Sequence, residues 1–234
     1  KGDNSTGVLV KNGTLNYGGD TTVEGNGVTG LIIGDNTTTN TAVVTAAKTG
    51  TVTVNNGTST SAGIYSYTQG KSTVKKGSYG IVVGKNSKLV SSGTNNVNVD
   101  VNVTGDESIG LYSGENAELE VGNHTVKAYE GAVNYDAEKG STLTLKGTGT
   151  ATTGQKSLLF YLGEDGSGKV AIDGKMNATI EGGTTPNTRG NAFYYVGNGG
   201  NFGKTQIEGW AKNNFGDGTN TTLGNLTLNM NKGS

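Results

Sequence analysis

Gly80-Ile81-Val82-Val83-Gly84-Lys85-Asn86-Ser87-Lys88-Leu89-Val90 reads as two short strands divided by a turn. Its first apolar run holds three residues that are stiff at χ1 and is stopped by Gly on both sides, so it is too short for a helix. Lys85-Asn86 supplies turn chemistry, and Leu89-Val90 opens the second run. The same phrase recurs in order along the chain. Gly30-Leu31-Ile32-Ile33-Gly34-Asp35-Asn36 leads to Ala42-Val43-Val44, and Gly110-Leu111-Tyr112-Ser113-Gly114-Glu115-Asn116-Ala117 leads to Leu119-Glu120-Val121. Gly131-Ala132-Val133-Asn134-Tyr135 precedes Leu143-Thr144-Leu145, Leu159-Phe160-Tyr161-Leu162-Gly163 precedes Val170-Ala171-Ile172, and Phe193-Tyr194-Tyr195-Val196-Gly197 precedes Thr205-Gln206-Ile207.

With weaker copies at Gly7 and Gly63, the equivalent starts are Gly7, Gly30, Gly63, Gly80, Gly110, Gly131, Leu159 and Phe193, at intervals of 23, 33, 17, 30, 21, 28 and 34 residues. Fixed strand chemistry with elastic spacing is the mark of a solenoid whose loops differ in size while its turns stack. A β-sandwich is the competing architecture. Asn12-Gly13, Asn26-Gly27, Asn56-Gly57 and Asn198-Gly199 could each close a type I′ hairpin. A sandwich has no reason to repeat one strand-turn-strand phrase, so the expected fold is all-β, a single right-handed parallel β-helix continuous over residues 1–234. At ~4.8 Å per rung, about nine to eleven rungs of roughly 20 to 25 residues would make a rod on the order of 50 Å long. Strand alternation assigns Leu31, Ile33, Ile81, Val83, Leu111, Phe160 and Leu162 to the core, and Ile32, Val82, Tyr112, Tyr161 and Tyr195 to the outside.

Composition agrees. With 42 Gly, 1 Pro and abundant Asn and Thr, long helices are disfavoured. Hydrophobic residues, at 31%, come in alternating bursts rather than being thinned out as in a disordered linker. A net charge of -1 and a single Arg, Arg189, provide no field for a phosphate backbone, which argues against nucleic acid. The lack of Cys removes disulfides and thiolate metal sites and suits an exported chain. No stretch approaches the ~18 apolar residues of a membrane span. Lys1-Gly2-Asp3-Asn4 has no apolar signal core, so any targeting or anchoring segment is expected outside this stretch.

Motifs for chemistry come up short. Gly25-Asn26-Gly27-Val28-Thr29-Gly30 has dinucleotide-loop spacing but leads into a β-branched run, with no helix to hold a pyrophosphate. Gly203-Lys204-Thr205 and Gly70-Lys71-Ser72 lack the first Gly of a phosphate loop. Parallel β-helices also host polysaccharide lyases and hydrolases, which need clustered carboxylates with Arg or His. Asp106, Glu107, Glu115, Glu118, Glu120, Asp136, Glu138, Glu164 and Asp165 are the acidic candidates. Glu118 and Glu120 alternate with Leu119 and Val121 as a solvated strand face, and the others fall in turns or isolated pairs. His124, the only His, reads as an exposed turn residue with no partners for a metal. The sequence therefore indicates no catalytic residue, no metal and no cofactor.

Binding is better supported. Tyr112, Tyr161 and Tyr195 on successive rungs would form a stripe of flat rings able to stack on sugars or anchor a protein; ladder packing between rungs is the reading favoured over recognition for the same rings. Arg189, in the Gly182–Asn191 insertion, and Trp210, in the Gly209–Thr219 insertion with Phe215, stand on loops suited to contact; capping the end of the barrel is the alternative role for Trp210.

The Gly-strand, Gly-Lys/Glu-Asn-Ser/Ala turn and Leu-x-Val strand resemble the passenger domains of classical type V autotransporters. The Asn-, Thr- and Lys-rich wording, as in Gly80 to Val90, is similar to the large outer-membrane adhesins of fusobacteria. The resemblance covers nearly all of the chain and rests on repeat style. It implies a β-helix on the cell surface, exported through a C-terminal translocator barrel lying outside this stretch. It also implies attachment to a host-cell or bacterial surface receptor, protein or glycan, as in coaggregation and biofilm. A passive stalk and a glycan-degrading enzyme are the alternatives.

Overall fold

A computed structural model describes residues 2–35, 40–56, 68–69, 72–73, 77–105, 108–162, 168–183, 190–195, 220–223 and 225–231. The chain climbs in levels of three strands. The first holds β1 (Thr6–Val10), β2 (Gly13–Tyr17) and β3 (Thr21–Glu24), and the second β4 (Thr29–Ile33), β5 (Ala42–Ala46) and β6 (Gly50–Asn55). Between the second and third levels lies a separate antiparallel pair, β7 (Thr68–Gln69) and β8 (Ser72–Thr73). The third level is β9 (Tyr79–Val83), β10 (Lys88–Val90) and β11 (Val97–Thr104), and the fourth β12 (Ile109–Ser113), β13 (Glu118–Val121) and β14 (His124–Tyr129). The fifth is β15 (Val133–Ala137), β16 (Thr142–Leu145) and β17 (Gly149–Thr153), and the sixth β18 (Leu158–Leu162), β19 (Lys169–Ile172) and β20 (Met176–Ile180). Then come β21 (Asn191–Tyr195), β22 (Asn220–Leu223) and β23 (Leu226–Met230).

Strands in the same place on each level pair in parallel. They form sheet A (β1-β4-β9-β12-β15-β18-β21), sheet B (β2-β5-β10-β13-β16-β19) and sheet C (β3-β6-β11-β14-β17-β20-β23, closed by antiparallel β22). This is a single parallel β-solenoid, with no helix among the described residues. Hairpins at Asn12-Gly13 and Asn26-Gly27 are not what the chain makes: these pairs lie at corners between parallel sheets.

Stacking aligns Thr6, Thr29, Tyr79, Ile109, Val133, Leu158 and Asn191, at intervals of 23, 50, 30, 24, 25 and 33 residues. Over the described residues the stack is shorter than the sequence suggests. Seven stacked strands at ~4.8 Å give on the order of 25–30 Å, because each level takes three strands and the second-to-third interval is long. Gly7, Gly30, Gly80 and Gly110 are equivalent, as read from sequence. Gly131 is not: the pairing of Ile109 with Val133 and Leu111 with Tyr135 puts Asn134 opposite Gly110. Gly131, at φ 96°, is instead the turn glycine before the strand. Leu159 occupies the same second-residue position of its strand, whereas Phe193 pairs with Phe160 and so lies one residue further on. Gly63 lies outside the described residues.

The core fills the tube between the sheets. Leu31, Ile33, Ile81, Val83, Leu111, Phe160 and Leu162 from sheet A are buried in it, with Val44, Leu89, Leu119 and Leu143 from sheet B and Val54, Val101 and Val126 from sheet C. Each buried aliphatic contributes ~1.5–3 kcal/mol, and the backbone polar groups are satisfied by the ladders between levels. Corners repeat as faithfully as strands. Asn86 (φ 57°), Asn116 (φ 55°) and Gly140 (φ 66°) occupy the corner between sheets A and B in the left-handed region that Asn and Gly tolerate. At the corner between sheets B and C, Asn98 Oδ1 accepts the Asn123 N–H at 2.8 Å and Asn123 Oδ1 accepts that of Thr148 at 3.0 Å. A side-chain ladder thus bridges the corner where the chain leaves one sheet for the next.

Candidate functional site

Three sheets give the rod three outer faces, and strand alternation writes a different chemistry on each. Sheet C carries Thr22, Thr53, Asp100, Thr125, Thr150, Asn177 and Thr227 in one column and Glu24, Asn55, Asn102, Lys127, Thr152, Thr179 and Asn229 in the next. It is a hydroxyl- and amide-rich face with no buried member. Sheet B and its flanking corner carry ion pairs between neighbouring levels: Lys85 with Glu115, Lys88 with Glu118 at 2.8 Å and Lys146 with Glu120 at 3.2 Å. Glu118 and Glu120 are therefore paired surface groups, each worth about 0–1 kcal/mol.

Sheet A is different. One outer column runs Tyr79, Ile109, Val133, Leu158; the other runs Leu9, Ile32, Val82, Tyr112, Asp136, Tyr161. Ile109, Val133, Leu158, Tyr112 and Tyr161 are half-buried and Leu9 is 51% exposed. Ile32 and Val82 were expected at the surface, yet they are buried outside the tube core. Each stands between apolar side chains one rung above and below, which removes part of its contact with water.

The predicted tyrosine stripe is partly re-registered. Tyr112 and Tyr161 share the outer column, with Asp136 on the level between them. Tyr161 pairs with Tyr194, whereas Tyr195 pairs with Leu162 of the core-facing column, one residue off the position expected for it. Arg189, Trp210, Phe215, Asp106, Glu107, Glu164 and Asp165 lie outside the described residues.

Asp136 was read only as half of an acidic pair, but it is buried at 5% exposure and its Oδ1 has no hydrogen-bond partner. Burial, and then the charge of Glu138, raises its carboxyl well above the usual range. His124 is not an exposed turn residue. It is 3% exposed, the first residue of β14, and its ring lies where a side chain at Gly149 on the next level would be, so that a Cβ there would meet Nε2. Its Nδ1 lies 3.2 Å from the Gly122 carbonyl, which assigns the proton to Nδ1 and leaves buried Nε2 unpaired. Burial lowers its pKa, partly offset by that hydrogen bond. Tyr135 completes the group: its ring meets His124 edge-on at 6.1 Å and stacks on Phe160 at 5.5 Å.

Asn134 is the polar residue of the interior with its needs met. It donates to the Val126 and Thr152 carbonyls at 2.9 and 3.0 Å and accepts from Thr153 Oγ1 at 2.7 Å. It ties the start of β15 to sheet C, a positioning role. Among the described residues no group of three or more His, Asp or Glu side chains could hold a metal ion. What the arrangement offers chemically is one apolar, aromatic outer face bearing a carboxyl, beside an ion-paired face and a Thr/Asn face. Sequence alternation located the first through Tyr112 and Tyr161. It missed Asp136, whose register becomes visible only once Tyr135 is known to stack on Phe160.

No protein-family model, no curated protein and no solved structure matches the chain.

Proposed function

We propose that this chain is a segment of a surface-displayed adhesive rod that attaches the cell to a host or bacterial receptor through the outer face of sheet A. The observation that carries this reading is the half-buried apolar, aromatic double column running through Ile109, Val133 and Leu158 and through Tyr112 and Tyr161. Contiguous apolar surface beside polar faces is where soluble proteins meet partners, and tyrosines combine a stacking ring with a polar tip. The resemblance to autotransporter passengers supports the same placement on the outer membrane, with the translocator barrel beyond this stretch. The ion-paired and Thr/Asn faces suit a solvated stalk, which is the second reading.

The test is binding of the purified chain to host cells and to partner bacteria. It compares a Tyr112→Ser/Tyr161→Ser variant on sheet A with Thr150→Lys on sheet C. Adhesion through sheet A predicts that the first variant loses most of its binding and the second keeps it. Equal binding by both would remove sheet A from consideration, and an unmodified chain that binds nothing would leave the stalk.

A further inference from the structure

We propose that Asn12 is a site of spontaneous covalent modification, where the chain rewrites its own backbone with water as the only co-reactant. The Gly13 nitrogen attacks Asn12 Cγ; the N–Cγ bond forms, the Cγ–Nδ2 bond breaks, and Nδ2 leaves as ammonia. One water then opens the cyclic imide at either carbonyl, giving aspartate or isoaspartate. Nothing is oxidised or reduced.

Both residues are exposed, and the Gly13 nitrogen lies 2.8 Å from Asn12 Oδ1, so the attacking atom already rests against the amide it must enter. Gly13 is at φ 90°, and the space where a Cβ would stand is empty to 4 Å, so nothing crowds the approach. The Gly13 N–H also donates to the Thr41 carbonyl at 3.1 Å, a bond that must open first. It lies at the start of β2, which is hydrogen-bonded on one side only, and such exposed ends open locally at small cost.

Stacking supplies internal controls. The pairings of Thr14 with Val43, Val43 with Lys88 and Lys88 with Glu118 put Asn86 and Asn116 in the same corner position as Asn12. There the next residues are Ser87 and Ala117, both buried, whose N–H groups are held by Gly84 and Gly114 carbonyls at 3.0 and 2.9 Å. The other described asparagines followed by Gly are restrained too. Asn26 receives the Asn4 N–H on its carbonyl at 2.7 Å and donates its own to Asp3 at 2.8 Å. Asn56 is buried, with Nδ2 donating to the Thr104 carbonyl at 2.9 Å. Conversion at Asn12 adds a negative charge, and the isoaspartate form adds a backbone carbon between β1 and β2, disturbing the register of that corner.

The full chain, aged folded in mildly alkaline buffer, is mapped by peptide mass spectrometry with isoaspartyl methyltransferase labelling. Asn12 is expected to convert several-fold faster than Asn26, Asn56, Asn86 and Asn116, with the signal lost from that peptide in Asn12→Gln. Aged in denaturant, Asn12, Asn26 and Asn56 should converge, since each is followed by Gly. Folded chain in which Asn26 or Asn56 converts first, or an Asn12 lead that persists undiminished in denaturant, would overturn the proposal.

Discussion

Asp136 stands on an outer column between two tyrosines, with one carboxylate oxygen buried and unpaired. An unfolded Asp ionises near pH 3.9. In the fold, burial and then Glu138 raise that value, so the folded chain holds the proton more tightly than the unfolded one. The ionisation of Asp136 therefore costs nothing in acid below the unfolded value, and that cost grows as pH rises from there through the folded pKa. Asp136→Asn keeps the shape and removes the charge. It should stabilise the chain at neutral pH by about 1 kcal/mol or more, since unmet buried charge costs more than an unmet buried amide. The gain should vanish in acid. His124 runs the other way: its lowered pKa gives stability that is present above about 6.5 and is lost as pH falls through the folded value. Variant and parent must therefore be compared at each pH. Denaturant melts showing Asp136→Asn weaker at neutral pH, or a gap that does not change with pH, would refute the account.

At the scale of strands and corners, the chain matches side-chain size between facing sheets. A Cβ on Gly30 would meet Val52 and Val54 methyls at 2.5 and 2.8 Å, one on Gly80 a Val101 methyl at 2.6 Å, and one on Gly110 a Val126 methyl at 2.4 Å. On the sixth level the same strand position holds Leu159, and the column that held Val54, Val101 and Val126 there presents Ala178. Large opposite small has become small opposite large. Leu159→Ala should cost about 2–5 kcal/mol and Ala178→Val about 1–3 kcal/mol. Their combination should cost less than the sum, because each fills or vacates what the other requires. Strict additivity in the melts would show that the two do not share a space.

This exchange also explains what the sequence could and could not reveal. The four strand glycines Gly7, Gly30, Gly80 and Gly110 and the Leu31/Ile33 and Ile81/Val83 alternation were legible because turn and strand chemistry repeat together. The frame slips at Gly131, where a turn glycine imitates a strand glycine and Asn134 fills the strand position through three hydrogen bonds. Sheet C is hard to recognise as a third strand per level, since β17 (Gly149–Thr153) offers only Gly, Ala and Thr and no aliphatic run. Of the candidate site, the aromatic column was visible at Tyr112 and Tyr161, but choosing Tyr194 over Tyr195 requires the pairing with Tyr161 that stacking alone provides.

For the whole molecule, among the described residues the stacked strands from β4 to β18, and β20, are hydrogen-bonded both above and below, whereas β1, β2, β3 and β19 are paired on one side. Nearly all long-range order is between neighbouring levels, so stability is a sum of level and interface terms rather than one global quantity. Opening should then start at unpaired levels and move inward, with exchange free energies rising toward the middle. Hydrogen exchange read by mass spectrometry should show β1–β3 exchanging first and β11–β17 last. A charge placed in the middle, Leu119→Asp, should accelerate exchange in β10, β13 and β16, its partners across the ladder, before it reaches β2. If all strands instead exchange together, and Leu119→Asp lowers protection by the same amount everywhere, the rod folds as one cooperative unit and the additive description fails.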